Sequence, residues 1–176
     1  MDKQIETQYG PIHAHVEGEG PAILLAHGYY PENDWQIWEH NITALAEVGF
    51  TVYALDLLGY GQSGGEMLDH QHQAAALLDL MAAEGLGAAI VGGVSWGGMV
   101  ALEMALTAPE RVTRLILVDS AGAGQYPEEQ LESIACPTLV VWGEDDAVIP
   151  LANAAWFGAT IPNSRVETIQ GVTEQE

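Results

Sequence analysis

The sequence predicts an α/β fold, a mostly parallel β-sheet with helices on both faces. Short apolar, β-branched runs alternate with longer segments whose apolar residues recur at helical spacing. Glycines punctuate the junctions, and Gly93-Val94-Ser95-Trp96-Gly97-Gly98 joins one such run directly to one such helix. A serine there sits on a turn too tight for ordinary side chains, so its hydroxyl is pushed out at the end of the sheet.

Each element has its own cause. Thr7-Gln8-Tyr9 and Ile12 to Val16, split by Gly10-Pro11, read as a β-hairpin. Ala22 to Ala26 is a buried strand ending at His27-Gly28. From Asp34 to Val48, Trp38, Ile42, Leu45 and Ala46 share a helical face, and Gly49 ends that helix. Phe50 to Leu55 is the next strand. A second helix spans Asp69 to Ala83, with Ala74, Leu77, Leu78 and Met81 inward. Ala89 to Val91 opens the strand before Ser95, and Met99, Leu102 and Leu106 follow at helical spacing. Leu115 to Val118 and Thr138 to Trp142 are strands, with a short helix near Glu128 to Ile134 between them. Pro150 opens a helix through Ala155, and Arg165 to Ile169 forms a last strand. Loops after parallel strands emerge at one edge, and that edge binds ligands. The segments after His27, Asp56, Ser95, Asp119, Asp146 and Ile169 are therefore expected to converge.

The 176 residues are expected to form one domain, 1–176. A hydrophobic share of 48% fits a globular chain rather than a disordered one. There are 25 acidic side chains against four basic ones (Lys3, Arg111, Arg114 and Arg165), for a net charge of −21. Such a surface repels nucleic acid and anionic membranes, so neither is expected as a partner. Residues 1–4 lack a basic-then-apolar signal pattern, and Ala88 to Leu106 is interrupted by Ser95, Glu103 and glycines. A cytoplasmic protein is the expectation. The lone Cys136 is read as a buried structural thiol. His13 and His15 share a strand face without further nearby ligands, so no metal and no cofactor are expected.

Four stretches together resemble the α/β-hydrolase superfamily over nearly the whole chain. They are Gly93-Val94-Ser95-Trp96-Gly97, His27-Gly28 after a strand, Asp56-Leu57-Leu58-Gly59-Tyr60-Gly61-Gln62-Ser63, and Trp142-Gly143-Glu144-Asp145-Asp146. The resemblance implies Ser95 as nucleophile and the backbone N–H groups of Tyr29 and Trp96 as the oxyanion hole. It gives His27 and Gly28 the support of the oxyanion loop and makes Asp146 the catalytic acid. Asp145 is the adjacent alternative and Asp119 a backup at the same edge, while Asp56 belongs to a loop-shaping motif.

Two departures stand out. Only residues 121–136 follow the Leu115–Val118 strand before Pro137, so the chain is similar to small members without a cap domain. The family's order is Ser, acid, His, yet no histidine follows His72; Gly171 opens Gly171-Val172-Thr173-Glu174-Gln175-Glu176 instead. The C-terminal His loop and the helix that usually follows it are not in this sequence. His70 and His72 are candidates to approach Ser95 from the correct edge, and Glu174 is a poor base at an ordinary carboxylate pKa.

The expected function is a serine hydrolase, carboxylesterase-like, acting on a small-molecule ester through Ser95. The alternative is a weakened or inactive hydrolase-like binding domain without a triad histidine. An uncovered sheet flank would favour a homodimer.

Overall fold

The structure, a computed structural model, describes residues 1–172. It runs β1 (Asp2–Thr7), β2 (Gly10–Glu17), β3 (Ala22–Ala26), α1 (Glu39–Glu47), β4 (Thr51–Leu55), α2 (His70–Ala83) and β5 (Ala89–Val94). It continues through α3 (Trp96–Thr107), β6 (Val112–Val118), α4 (Glu128–Glu132), β7 (Thr138–Gly143), α5 (Ala152–Thr160) and β8 (Ser164–Ile169). The eight strands form one sheet in the order β1-β2-β4-β3-β5-β6-β7-β8. β1–β2 and β2–β4 are antiparallel and every other pairing is parallel. The carboxyl ends of β3 to β8 therefore share one edge. No cap insertion separates β6 from β7; α4 alone lies between them.

Several local readings are corrected. The hairpin turn lies at Gln8-Tyr9, with Thr7 paired to Gly10, and not at Gly10-Pro11. Thr7 fixes it there: its hydroxyl donates to the Gly10 carbonyl at 2.7 Å and accepts the Tyr9 N–H at 3.1 Å. The helix expected over 34–48 is two pieces, a 3-10 turn at Trp35–Trp38 and then α1. Asp34 caps the first piece by accepting the Gln36 N–H, and Trp38 at ψ 0° breaks the helical path. In α2, Leu80 is fully buried while Leu78 is only half-buried. The α5 helix runs on to Thr160, and Cys136 is half-buried rather than buried.

The two sheet faces are covered unequally. One continuous core gathers α2 to α5 against the sheet, with Leu77, Leu102, Leu117, Trp142 and Phe157 fully buried. The opposite face carries a smaller cluster, in which Trp38 and Ile42 pack on Ile23, Leu25, Val52 and Ile90. Farther along that face Ile116 and Val118 are half-buried beside a cavity of about 390 Å³. Among the described residues, no helix is long and apolar enough to cross a membrane.

Candidate active site

Ser95 occupies the junction of β5 and α3 with φ 53° and ψ −119°, a conformation that side-chain-bearing residues rarely adopt. Its N–H donates to the Val118 carbonyl at 2.9 Å, and its carbonyl accepts from Gly98 at 3.1 Å and Ala121 at 2.9 Å. The glycines on either side exist for space. A Cβ on Gly93 would lie 2.2 Å from the Gly97 carbonyl carbon, and one on Gly97 would lie 2.4 Å from the Ala26 and His27 oxygens.

Ser95→Gly is therefore expected to stabilise the fold by about 1 kcal/mol, the lower end of the cost of such a backbone state. Ser95→Ala keeps the Cβ and should gain nothing comparable. Urea unfolding of the two variants beside the native chain measures this, and equal stability of Ser95→Gly and Ser95→Ala would refute stored strain.

The loop after β3 faces Ser95 across a cleft of about 490 Å³, walled by Gly28, Tyr29, Tyr30, Asn33 and Val148 among others. His27, fully buried at its base, pins that loop. Its Nδ1 lies 2.8 Å from the Gly28 carbonyl, and its Nε2 accepts the Leu57 N–H at 3.0 Å. Accepting at Nε2 assigns the proton to Nδ1 in a neutral ring. Burial, which lowers its pKa, keeps it so. Tyr60 braces the same loop by donating to the Tyr29 carbonyl at 2.8 Å, and burial pushes its phenol up to about 12. The Tyr29 and Trp96 rings meet edge to face at 5.5 Å. The Tyr29 N–H finds no acceptor among the described residues, and Trp96 is the first residue of α3, where the N–H lies beyond the intrahelical ladder.

Tyr60 is a loop contact that the sequence motif contained without revealing its partner. Asp56 holds the motif's other end. Fully buried, it meets His13 Nδ1 at 2.9 Å and accepts the N–H groups of Trp35 at 2.7 Å and Gln62 at 2.8 Å.

Two carboxyls meet beyond the ends of β6 and β7. Asp146 is buried whereas Asp145 is exposed. Asp146 Oδ1 accepts the N–H groups of Val148 at 2.7 Å and Ile149 at 2.9 Å, and its buried Oδ2 has no hydrogen-bond partner among the described residues. Asp119, at φ 41°, accepts the Gly143 N–H at 2.8 Å through Oδ1. Burial pushes the Asp119 carboxyl up to about 6; the Gly143 N–H opposes that rise, and the neighbouring Asp146 adds to it.

A carboxyl whose folded pKa is raised favours folding below its unfolded value and loses that contribution as pH rises through about 6. Asp119→Asn is neutral at every pH, keeps an oxygen for the Gly143 N–H and tolerates positive φ. It should melt about 3 °C above the native chain near pH 8, the shift that about 1 kcal/mol gives at this size. Near pH 4 the difference should vanish. Thermal melts at both pH values test this, and an equal shift at both would refute it.

The six histidines are engaged elsewhere. His13 meets Asp56, and His27 pins the loop after β3. His15 contacts Asp2 and Glu17, and His40 projects into solvent beside Glu39. His72 binds Asp69 at 2.8 Å, while His70 lies 3.7 Å from Glu103, two turns along α3 from Ser95. The structure thus does not bring His70 or His72 to Ser95, and Glu174 lies outside the described residues. Ser95 and Asp146 follow strands β5 and β7, separated by two strand spacings of roughly 5 Å each.

Residues 21–134 match the family model described as the alpha/beta hydrolase fold. Bifunctional epoxide hydrolase 2 of Sus scrofa is 39% identical over 105 residues, covering 57% of this chain and 19% of the relative. The pimeloyl-[acyl-carrier protein] methyl ester esterase of Vibrio campbellii is 34% identical over 110 residues, covering 62% of this chain and 41% of the relative. The chain thus spans a minor part of the length of these curated relatives. Among solved structures, a predicted CIB-like hydrolase from Thermoplasma acidophilum superposes with a TM-score of 0.88 at 26% identity, covering 99% of this chain and 88% of that one.

Proposed function

The chain belongs to the α/β-hydrolase fold family, and on that premise we propose that it is a serine hydrolase acting on small-molecule esters. The observation that carries the reading is Ser95, held at φ 53° on a glycine-flanked turn at the cleft. The hydroxyl attacks the ester carbonyl and gives up its proton to water while the N–H groups of Tyr29 and Trp96 receive the developing oxyanion. Such a donor is worth about 3 kcal/mol. His27 and Gly28 hold the Tyr29 loop for that purpose. The C–O bond then breaks, the alkoxide leaves as the alcohol with a proton from water, and a second water hydrolyses the acyl-Ser95 ester to the carboxylic acid. Asp146 is the acid, with Oδ1 fixed by two N–H groups and Oδ2 left to accept from an imidazole N–H. Its exposed neighbour Asp145 has no comparable setting.

The family order places the base after the acid, and no histidine follows His72 in this sequence. Without a base from that position, catalysis relies on binding and the oxyanion hole. Those leave roughly 10³–10⁴-fold over water when a triad member is missing. The second reading, a hydrolase-like binding domain, draws on the same observation: all six histidines have other partners. No cofactor enters either reading. The half-buried face along Ile116 and Val118 supports a homodimer, which light scattering after size exclusion would refute by finding a monomer.

A fluorophosphonate probe and p-nitrophenyl acetate separate the two readings. Slow labelling and slow turnover that disappear in Ser95→Ala are the expected result. Native rates no higher than those of Ser95→Ala would leave the binding-domain reading.

A further inference from the structure

Building on the serine hydrolase reading, we propose that the Ser95 cleft selects esters carrying an ammonium group over esters carrying a carboxylate, with Glu32 as the specificity-determining residue. Glu32 is the one charged side chain among the described residues lining the cleft. It is exposed, and two tyrosines beside it are open to an incoming molecule, Tyr29 at 55% and Tyr30 at 47% exposure. Phenol rings attract cations through their faces, adding to the carboxylate's attraction. The turn that carries them is closed by the Asn33 N–H donating to the Tyr30 carbonyl at 2.9 Å, so Glu32 lies on an ordered wall.

Nothing in the cleft balances that charge. Lys3 is paired with Glu84, Arg165 with Glu167, and Arg111 donates to the carbonyls of Leu86 and Gly87. Arg114 lines a separate cavity with Ile23, Leu45 and Phe50. An anionic substrate thus meets a carboxylate and no cation, inside the field of a chain with a net charge of −21. Ile37, Val94 and Val148 supply apolar contact for the rest of the substrate.

The test uses three phenyl acetates bearing a meta trimethylammonium, tert-butyl or carboxylate group, each rate corrected for that ester's hydroxide-catalysed hydrolysis. The corrected kcat/KM of the cationic ester should exceed that of the anionic one by about tenfold at low ionic strength, and the ratio should shrink as salt screens it. Glu32→Gln should cut the ratio about threefold and Glu32→Lys should invert it. A second arm needs no turnover: phenyltrimethylammonium and benzoate are titrated into Ser95→Ala, with amide shifts of residues 28–37 followed by NMR. The cation should bind more tightly, and Glu32→Gln in that background should narrow the gap. Equal preference in both arms overturns the proposal, as does a preference that Glu32→Gln leaves unchanged. Binding preference without Ser95-dependent turnover keeps the electrostatic filter and overturns the hydrolase reading instead.

Discussion

Free imidazole is expected to accelerate the acylation of Ser95 by p-nitrophenyl acetate on the order of 10²-fold, the lower end of what a positioned general base supplies. Imidazole also cleaves activated esters in solution, so the relevant quantity is the excess over Ser95→Ala at each concentration. That excess should saturate, because the ring would occupy a defined position between the Ser95 hydroxyl and Asp146 Oδ2. One nitrogen takes the serine proton and the other donates to the carboxylate. N-methylimidazole can do only the first, and should be markedly weaker. Asp146→Asn retains an oxygen for the Val148 and Ile149 N–H groups, which Asp146 Oδ1 accepts in the native chain, so the loop should persist. Where Oδ2 stood, the amide would present N–H to N–H, and the rescue should fall at least about tenfold, the loss expected when a buried partner is mismatched. A linear concentration dependence, or a rescue indifferent to Asp146→Asn, would remove Asp146 from the acid role. The experiment asks whether the carboxyl is preorganised for a base, apart from where that base comes from.

The parts of the site that were legible in sequence are those made by local sterics. Gly93 and Gly97 flank Ser95 within five residues, and the helix follows at once, so the turn reads directly. The alternation of strands and helices placed the loops after β3 to β8 at one edge, because parallel strands leave no other arrangement. Non-local contacts were not legible. Tyr60 reaches a carbonyl 31 residues away, and nothing in its own segment names that partner. Asp145 and Asp146 are chemically identical neighbours; only the fold of the loop buries one and exposes the other. Asp119 acquires its raised pKa from burial and from Asp146 across the β6–β7 pair, which composition cannot report. The split of the first helix at Trp38 likewise reflects tertiary context, since Trp38 is buried against the small face of the sheet.

Gly97→Ala should cost about 3 kcal/mol or more, at the upper end of what overpacking a core does. The added methyl would sit 2.4 Å from two backbone oxygens, those of Ala26 and His27, and neither can rotate away as a side chain could. Relief requires α3 to move off the sheet. Yet Val100, Ala101, Leu102 and Met104 of that helix are all fully buried, so the motion opens the main core. The same displacement carries Ser95 and the Trp96 N–H away from the loop that His27 holds. Labelling by a fluorophosphonate should therefore fall even in molecules that remain folded. Gly87→Ala provides the contrast: nothing lies within 4 Å of the Cβ it would add, and its effect should stay within about 0.5 kcal/mol. Urea unfolding of both variants, with labelling measured well below the midpoint, separates loss of fold from loss of geometry. A Gly97→Ala chain as stable as Gly87→Ala and labelled at the native rate would mean that helix and strand do not meet as closely as the turn around Ser95 requires.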